Sequence, residues 1–232
     1  MSKQKIVVLT GAGVSAESGI KTFRDADGLW EGHDVMEVAS PEGWRKNQDL
    51  VLDFYNQRRR QLKEVEPNAA HYALVELEKQ YQVVVITQNV DDLHERAGSS
   101  NILHLHGELR KVRSTGDSRL IYDWEDDCNT NDRCDKGYQL RPHIVWFGEA
   151  VPAIEQAVEE IFGAHIVLII GTSMQVYPAA GLVGYADKNA SIYYVDPKPS
   201  INYELERRDH LQVIAEPATT GVRRVVDELL GR

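Results

Sequence analysis

A short apolar segment that runs directly into glycines constrains the fold of this chain more than any other feature. Lys5 to Thr10 reads KIVVLT, which has the length and the continuous apolar character of a buried parallel strand. A glycine turn, Gly11 to Gly13, follows at once and leads into the helix-like segment Val14 to Ser18. Free amides at such a turn favour a bound pyrophosphate. Gly19 falls too late for the usual third glycine, so a purely structural turn is an equal alternative.

The same alternation of strand and helix continues to the end of the chain. Three further strand-like runs are QVVVIT from Gln82, HIVLII from His165 and SIYYVD from Ser191. The helix-like segments around them are Asn68 to Gln80, Ala153 to Phe162, Pro178 to Asp187 and Thr219 to Leu230. Alternating strands and helices predict an α/β fold with a doubly wound parallel sheet.

Two regions interrupt this alternation and predict a smaller inserted lobe. The region from Trp30 to Pro67 looks helical, and the region from Val112 to Arg141 is polar and irregular. A length of 232 residues suits one domain with an inserted module. We therefore expect a core at approximately 1–29, 68–111 and 142–232 and a small lobe at approximately 30–67 and 112–141. The lobe would form a cleft at the carboxyl ends of the strands, where parallel sheets bind ligands.

The composition excludes several classes of protein. The formal net charge is −10, which disfavours non-specific binding to a nucleic-acid backbone. Runs such as Ile166 to Ile170 are too short to cross a bilayer, and the polar start of the chain lacks the apolar run of a secretory signal. Two cysteines cannot form a disulfide framework. We therefore expect a cytoplasmic protein that binds neither nucleic acids nor membranes, and its oligomeric state stays open.

Polar residues directly after the predicted strands indicate where a ligand would bind. Gln88, Asn89 and Asp91 follow one strand and would meet at the carboxyl edge of the sheet. Asp196 ends another strand, where a carboxylate can accept hydrogen bonds from ribose hydroxyls. The alternatives are a helix cap at Asn89 or Asp91 and a surface turn at Asp196.

Two histidines near the same edge offer a general base. His104 and His106 lie in the segment HLHG, and an imidazole suits proton transfer because its pKa lies near neutrality. The spacing does not separate the two histidines, and a structural role is the alternative for either of them.

Five motifs, taken together and in order, resemble the signatures of the sirtuin family. They are GAGVSAESGIKTFR (Gly11 to Arg24), TQNVDDLHERAG (Thr87 to Gly98), HLHGEL (His104 to Leu109), RPHIVWFGE (Arg141 to Glu149) and GTS (Gly171 to Ser173). The match covers nearly the entire chain. It implies a Rossmann-like domain and an NAD-dependent protein-lysine deacylase, which transfers the acyl group to ADP-ribose and releases nicotinamide.

The resemblance also assigns roles to individual residues. It places NAD, the co-substrate, on Gly11, Ala12, Gly13, Ser15, Thr22, Phe23, Arg24, Gln88, Asp91, Gly171, Thr172, Ser173, Asp196 and Ala218. At position 196 the family more often has asparagine. Asn89 would help to position the nicotinamide ribose. His106 matches the family base, which takes a ribose hydroxyl proton after the acyl oxygen has displaced nicotinamide.

The acyl-lysine substrate would enter from the opposite wall. The resemblance implies a lysine tunnel lined by Val145, Trp146, Phe147 and Gly148. A peptide could pair as an added strand between this segment and Met174 to Tyr177. The alternative for Ile144 to Phe147 is a plain core strand.

An arginine cluster, Arg58 to Arg60, stands out against the acidic background, and a solvated helix face is its simplest interpretation. Tyr55 and Arg58 lie three residues apart, on one face if the segment is helical. A phenol and a guanidinium suit a carboxylate at the end of an acyl chain. The pair resembles the Tyr-x-x-Arg motif of the sirtuin branch that removes succinyl and malonyl groups. We therefore predict that Tyr55 and Arg58 select acidic acyl groups.

The chain departs from the family pattern in the small lobe. Sirtuins usually bind a structural zinc ion with two cysteine pairs, but Ser114 and Ser118 occupy the stretch of the first pair. Cys128 and Cys134 are too far apart for a Cys-x-x-Cys pair. Because zinc needs about four ligands, we predict a zinc-ribbon-like module that has lost its cysteine pairs and binds no metal.

Two other functions use the same motifs. Water or another nucleophile could complete the displacement of nicotinamide, as in an NAD glycohydrolase or an ADP-ribosyltransferase, which the tunnel motif at Val145 to Gly148 disfavours. A non-catalytic module that binds NAD or ADP-ribose is the third hypothesis, which the presence of His106 and Asn89 disfavours.

Overall fold

A computed structural model describes residues 3–21 and 29–232 of the chain, so the predicted cofactor residues Thr22, Phe23 and Arg24 lie outside the described part. The strands are β1 (Lys5–Thr10), β2 (Leu29–Trp30), β3 (His33–Asp34), β4 (Gln82–Thr87), β5 (Ile102–His104), β6 (Gly107–Ser114), β7 (Ile121–Asp123), β8 (Leu140–Ile144), β9 (Ile166–Ile170), β10 (Ser191–Val195) and β11 (Leu211–Ile214). The α-helices are α1 (Val35–Val38), α2 (Pro41–Lys46), α3 (Gln48–Gln61), α4 (Ala69–Leu77), α5 (Leu93–Ala97), α6 (Ile154–Phe162), α7 (Tyr203–Glu206) and α8 (Ala218–Leu230).

Six strands form one parallel sheet in the order β5-β4-β1-β9-β10-β11. The chain leaves β1 in one direction through β4 and β5, returns to the other side of β1 with β9, and continues outward to β11. This order confirms the predicted doubly wound sheet, and the direction of winding reverses between β1 and β9.

Apolar layers cover both faces of the parallel sheet. Because successive residues of a strand point to opposite faces, Val7 and Leu9 belong to one buried cluster, which α6 helps to cover. Ile6 and Val8 belong to the other, which α4 and α8 cover. Helix α4 begins where predicted, with the side chain of Asn68 accepting a hydrogen bond from the Ala70 amide at 2.9 Å.

The α-helix predicted directly after the glycine turn is wrong. The backbone forms two short 3₁₀-helices, Ala12–Val14 and Ala16–Ser18, and the left-handed Gly19 (φ 99°) ends the second one. The segment between the turn and Gly19 is too short for an α-helix to propagate. The segment after Pro178 is likewise a 3₁₀-helix, Ala179–Tyr185.

The small lobe combines α1, α2 and α3 with an antiparallel sheet of order β7-β6-β8. The region predicted to be irregular therefore contains β7 and parts of β6 and β8. A third apolar cluster, which includes Phe54, Trp44 and Leu140, joins these helices to the sheet. No helix in the described ranges is long and apolar enough to cross a membrane.

Candidate active site

A cavity of about 720 Å³ lies at the carboxyl end of the parallel sheet, between the sheet and the small lobe. Most of the predicted site residues that the structure describes line it, namely Gly11, Ala12, Gly13, Tyr55, Arg58, Gln88, Asn89, Asp91, His106, Val145, Trp146, Phe147, Gly148, Gly171, Thr172, Ser173, Asp196 and Ala218. Ser15 is buried directly behind this lining. Residues far apart in the sequence therefore meet at the point where the winding of the sheet reverses.

The glycine turn is held against the end of β9 by backbone contacts. The Gly13 amide donates to the Gly171 carbonyl at 2.8 Å, and the Gly11 amide donates to Ile170 at 3.0 Å. A Cβ atom on Gly13 would lie 2.5 Å from the Gly171 Cα atom, so only glycine permits this close approach. Two loops that both follow strands thus form one continuous floor, and their polar backbone suits a dinucleotide.

Ser15, Asn89 and Asp91 form a buried hydrogen-bond network beside this floor. Asn89 Nδ2 donates to Ser15 Oγ at 3.1 Å, and Ser15 Oγ donates to Asp91 Oδ2 at 3.0 Å. The second oxygen of Asp91 accepts from the Leu93 amide at 3.1 Å. The N-cap of α5 is Asp92, so the alternative of a helix cap at Asn89 or Asp91 is wrong. Burial raises the pKa of Asp91 to about 6, although both hydrogen bonds oppose the shift.

His106 lines the cavity as a neutral imidazole with one nitrogen available. Its Nδ1 lies 3.0 Å from the carbonyl oxygen of Gln88, and a carbonyl can only accept, so Nδ1 carries the proton. Burial lowers the pKa of His106, and the bond to Gln88 only partly offsets this effect. Nε2 is consequently the basic atom. The side chain of Gln88 points the other way and donates to Thr172 Oγ1 at 3.1 Å.

The structure separates the two histidines that the sequence leaves equivalent. His104 is not part of the cavity lining. Its Nε2 lies 2.6 Å from Glu95, and its Nδ1 lies 3.2 Å from the Asn89 carbonyl oxygen. Burial lowers the pKa of His104, but the hydrogen bond and charge of Glu95 outweigh burial and raise it overall. His104 therefore supports the Asn89 backbone from outside the cavity.

Tyr55 and Arg58 line the small-lobe side of the same cavity, as the helical spacing predicts. Tyr55 is fully buried, and the Trp146 indole N–H donates to its hydroxyl oxygen at 3.0 Å. Burial raises the pKa of Tyr55, so the phenol stays neutral. Since the indole fills an acceptor position of the hydroxyl, the phenolic proton is the group that can donate to a ligand.

The arginine cluster is not the solvated helix face of the simplest interpretation. Arg59 is buried in the small lobe and donates to the Leu109 carbonyl at 2.8 Å. Arg60 alone of the three is largely exposed, with ion pairs to Asp53 and Asp127. The three consecutive arginines of α3 therefore lie in three environments: the cavity, the interior of the small lobe and the surface.

The predicted tunnel residues lie in a turn and not in a strand, because β8 ends at Ile144. The Val145 amide donates to the His106 carbonyl at 2.9 Å, which fixes the turn beside His106. Glu149 closes the turn by accepting from the Trp146 amide at 2.8 Å. Arg141 also donates to Glu149 at 2.8 Å and stacks on Trp146 with its guanidinium carbon 3.3 Å from the ring centroid. The motif RPHIVWFGE contains both Arg141 and Glu149, but nothing in the sequence indicates this role.

Asp196 both stabilises a turn and lines the cavity. Its Oδ1 accepts from the Lys198 amide at 2.8 Å, which is the predicted turn, while the residue also lines the cavity. Ala218 begins α8 at the same wall.

The small lobe does not offer a zinc site of the usual kind. Cys128 is fully buried, and burial raises the pKa of its thiol to about 12, which disfavours the thiolate that zinc requires. Ser114 Oγ accepts hydrogen bonds from the Gly116 and Asp117 amides, at 3.2 Å each. Within the described residues, the group of side chains that could hold a metal contains neither cysteine and consists of Glu95, His104 and Glu108. The two cysteines therefore do not fit the structural zinc ion that sirtuins usually bind.

A family model described as "Sir2 family" matches residues 11–178 of the chain. A protein of Helicobacter pylori named "NAD-dependent protein deacylase" is 62% identical over 227 residues, which covers 98% of each chain.

Two solved structures have the same fold over nearly the full length. A complex of a Sir2 homologue with NAD has a TM-score of 0.87 and 38% identity, and the match covers 99% of this chain and 90% of the other. A mutant Sir2 homologue in complex with 2'-O-acetyl ADP ribose has a TM-score of 0.87 and 37% identity, with coverage of 99% and 93%.

Proposed function

The chain belongs to the Sir2 family, in agreement with the resemblance of its motifs, and we propose that it removes acyl groups from lysine side chains with NAD as co-substrate. The observation that carries this proposal is the position of His106. Its basic Nε2 borders a cavity whose floor is the glycine turn and whose wall is the Val145–Gly148 turn. His106, the glycine turn and the Val145–Gly148 turn therefore share one cavity.

We further propose roles for the residues around the base. When nicotinamide leaves bound NAD, the acyl oxygen of the substrate can attack the ribose carbon that carried it. Asn89 and Asp91, held together through Ser15, orient the ribose and the carboxamide. His106 accepts a proton from a ribose hydroxyl at Nε2, while the Gln88 carbonyl stabilises the protonated ring. One water molecule is consumed to break the bond between the acyl carbon and the lysine nitrogen, and the products are free lysine, nicotinamide and acylated ADP-ribose.

We propose that acidic acyl groups, such as succinyl and malonyl, are the preferred substrates. Tyr55 offers a phenolic proton, and Arg58 offers a guanidinium whose side chain is 11% exposed. Buried donors discriminate strongly, because a neutral acetyl group leaves them without a partner. The Trp146 indole positions Tyr55 for this contact.

We propose that acyl-lysine peptides bind as an added strand between Val145–Gly148 and Met174–Tyr177. We propose a cytoplasmic enzyme, and the net charge of −10 disfavours its binding to nucleic-acid backbones.

Acetyl, succinyl and malonyl versions of one peptide, each with and without NAD, test these proposals together. We expect NAD-dependent release of free lysine peptide, and His106→Ala should lower kcat/KM for every acyl group by about 10²- to 10⁴-fold. Tyr55→Phe with Arg58→Met should lower the succinyl to acetyl ratio of kcat/KM by about tenfold or more. Arg60→Met, an exposed neighbour, is the matched control. Unchanged desuccinylation in the double variant contradicts the assignment of Tyr55 and Arg58, and full activity of His106→Ala contradicts the assigned base.

A further inference from the structure

A carboxylate of the chain itself lies beside the guanidinium of Arg58. Glu31 Oε2 is 3.8 Å from Arg58 Nη2, and the same oxygen accepts a hydrogen bond from Lys21 Nζ at 3.0 Å. All three residues line the cavity. The side chains of Glu31 and Arg58 are 17% and 11% exposed, whereas that of Lys21 is 71% exposed. The carboxylate therefore stands between a buried cation and a solvated one.

Arg58 has an incomplete set of partners in this arrangement. Its Nη1 donates to the Phe54 carbonyl at 2.6 Å, and the guanidinium stacks on the Phe54 ring at 3.7 Å. These contacts fix the side chain on its own helix. The distance to Glu31 is too long for a hydrogen bond, and the buried Nε has no hydrogen-bond partner among the residues described. Glu31 thus compensates the charge of Arg58 without satisfying its donors.

The backbone at Glu31 is held in a conformation that side chains seldom adopt. Glu31 (φ 51°) and Gly32 (φ 83°) form the two-residue turn between Trp30 and His33, which pair as the ends of β2 and β3. Positive φ at both positions is the pattern of a tight hairpin turn, in which glycine, asparagine or aspartate is normally preferred. A glutamate there costs stability, and its side chain contacts Arg58 and Lys21.

We propose that Glu31 is a built-in competitor for Arg58 and thereby sets how strongly acidic acyl groups are preferred over neutral ones. The inference rests on the proposed role of Arg58. When the distal carboxylate of a succinyl group approaches Arg58, two carboxylates share one guanidinium and repel each other. Glu31 can then withdraw towards Lys21, which already donates to it. An acetyl group brings no carboxylate, so Glu31 remains on Arg58 and keeps the buried cation compensated.

The charge of Glu31 is accordingly unfavourable only when the substrate is acidic. Glu31→Gln removes the charge and keeps the size of the side chain. We expect the succinyl to acetyl ratio of kcat/KM to rise by about five- to tenfold, mainly through a lower KM for the succinyl peptide. In the Tyr55→Phe, Arg58→Met background the same substitution should raise the ratio much less, because no guanidinium remains for the two carboxylates to compete for.

Glu42→Gln is the matched control. Glu42 is exposed on α2, and its substitution changes the net charge by the same amount. Melting temperatures of all variants report whether the hairpin has been disturbed. A ratio that is unchanged or lower in Glu31→Gln overturns the inference, while loss of desuccinylation in the Tyr55, Arg58 double variant would still uphold the proposed specificity. A wild-type enzyme that shows no NAD-dependent desuccinylation contradicts both the specificity and the competition.

Discussion

Asp91 shows how a buried polar side chain that lines the cavity reduces stability. Its pKa is raised from 3.8 to about 6 by burial, so the folded protein binds a proton that the unfolded chain has already lost. The stability contributed by the protonated form is fully present below pH 3.8 and is lost as the pH rises through about 6. At neutral pH the folded protein keeps an ionised carboxylate in a place where burial disfavours it.

Asp91→Asn removes this charge, and its stability relative to the wild type should therefore depend on pH. We expect the difference in unfolding free energy to move in favour of the variant by about 2 kcal/mol between pH 4 and pH 7. Urea unfolding of both proteins across that range measures it. The altered hydrogen bond to Ser15 shifts the unfolding free energy of the variant by the same amount at every pH. A difference between variant and wild type that does not change with pH would therefore contradict the raised pKa of Asp91.

At the residue scale, the sequence predicts contacts that are local along the chain. Tyr55 and Arg58 meet in the cavity because three residues nearly complete a helical turn, and this spacing is visible in the sequence. The choice between His104 and His106 depends on which side of the chain turns towards the sheet edge, and the spacing cannot determine that. The contact of Glu31 with Arg58 joins a hairpin to a helix, and no sequence period links the two.

At the scale of elements, one asparagine joins helix α3 to the loop that carries Cys128. Asn56 is buried, its Nδ2 donates to the Cys128 carbonyl at 3.0 Å, and its Oδ1 accepts from the Cys128 amide at 2.9 Å. The same oxygen accepts from Arg59 Nη1 at 2.7 Å. Three buried polar groups depend on this side chain.

Asn56→Ala should therefore destabilise the small lobe by about 3 to 5 kcal/mol, because it leaves those groups buried without partners. Hydrogen exchange of the Cys128 amide and urea unfolding measure the local and the global effect. Asn131→Ala, on the exposed surface of the same loop, is the control. Unchanged exchange at Cys128 would show that other contacts hold the loop.

Elements with a long continuous apolar run are those that the sequence predicts well. The strands Lys5–Thr10 and Gln82–Thr87 agree with prediction, because continuous apolar runs have few alternatives to a buried parallel sheet. The short strand Ile121–Asp123 is missed, since its pairing with β6 is set by partners distant in sequence. The 3₁₀-helices after the glycine turn are missed because contact with Gly171, and not local propensity, determines their path.

At the scale of the whole molecule, the strand order of the doubly wound sheet explains why so many loops line one cavity. Strands β1 and β9 are neighbours, but their following loops lead to opposite sides of the sheet, and a crevice opens between them. The small lobe then covers this crevice from one side. The small lobe therefore supplies part of the cavity lining, and we expect its rigidity to affect how well the Val145–Gly148 turn is placed.

The rigidity of that lobe is the basis of a last prediction, which concerns metal removal. An apolar core that includes Phe54, Trp44 and Cys128 joins its helices to its sheet, and the Cys128 thiol is not poised to ionise. If this core and the Asn56 contacts hold the lobe, a strong chelator should leave both the melting temperature and the NAD-dependent activity unchanged. Elemental analysis of the purified chain should find no stoichiometric zinc. One zinc per chain, or a melting temperature that falls on chelation, would mean that a metal and not side-chain packing keeps the small lobe folded.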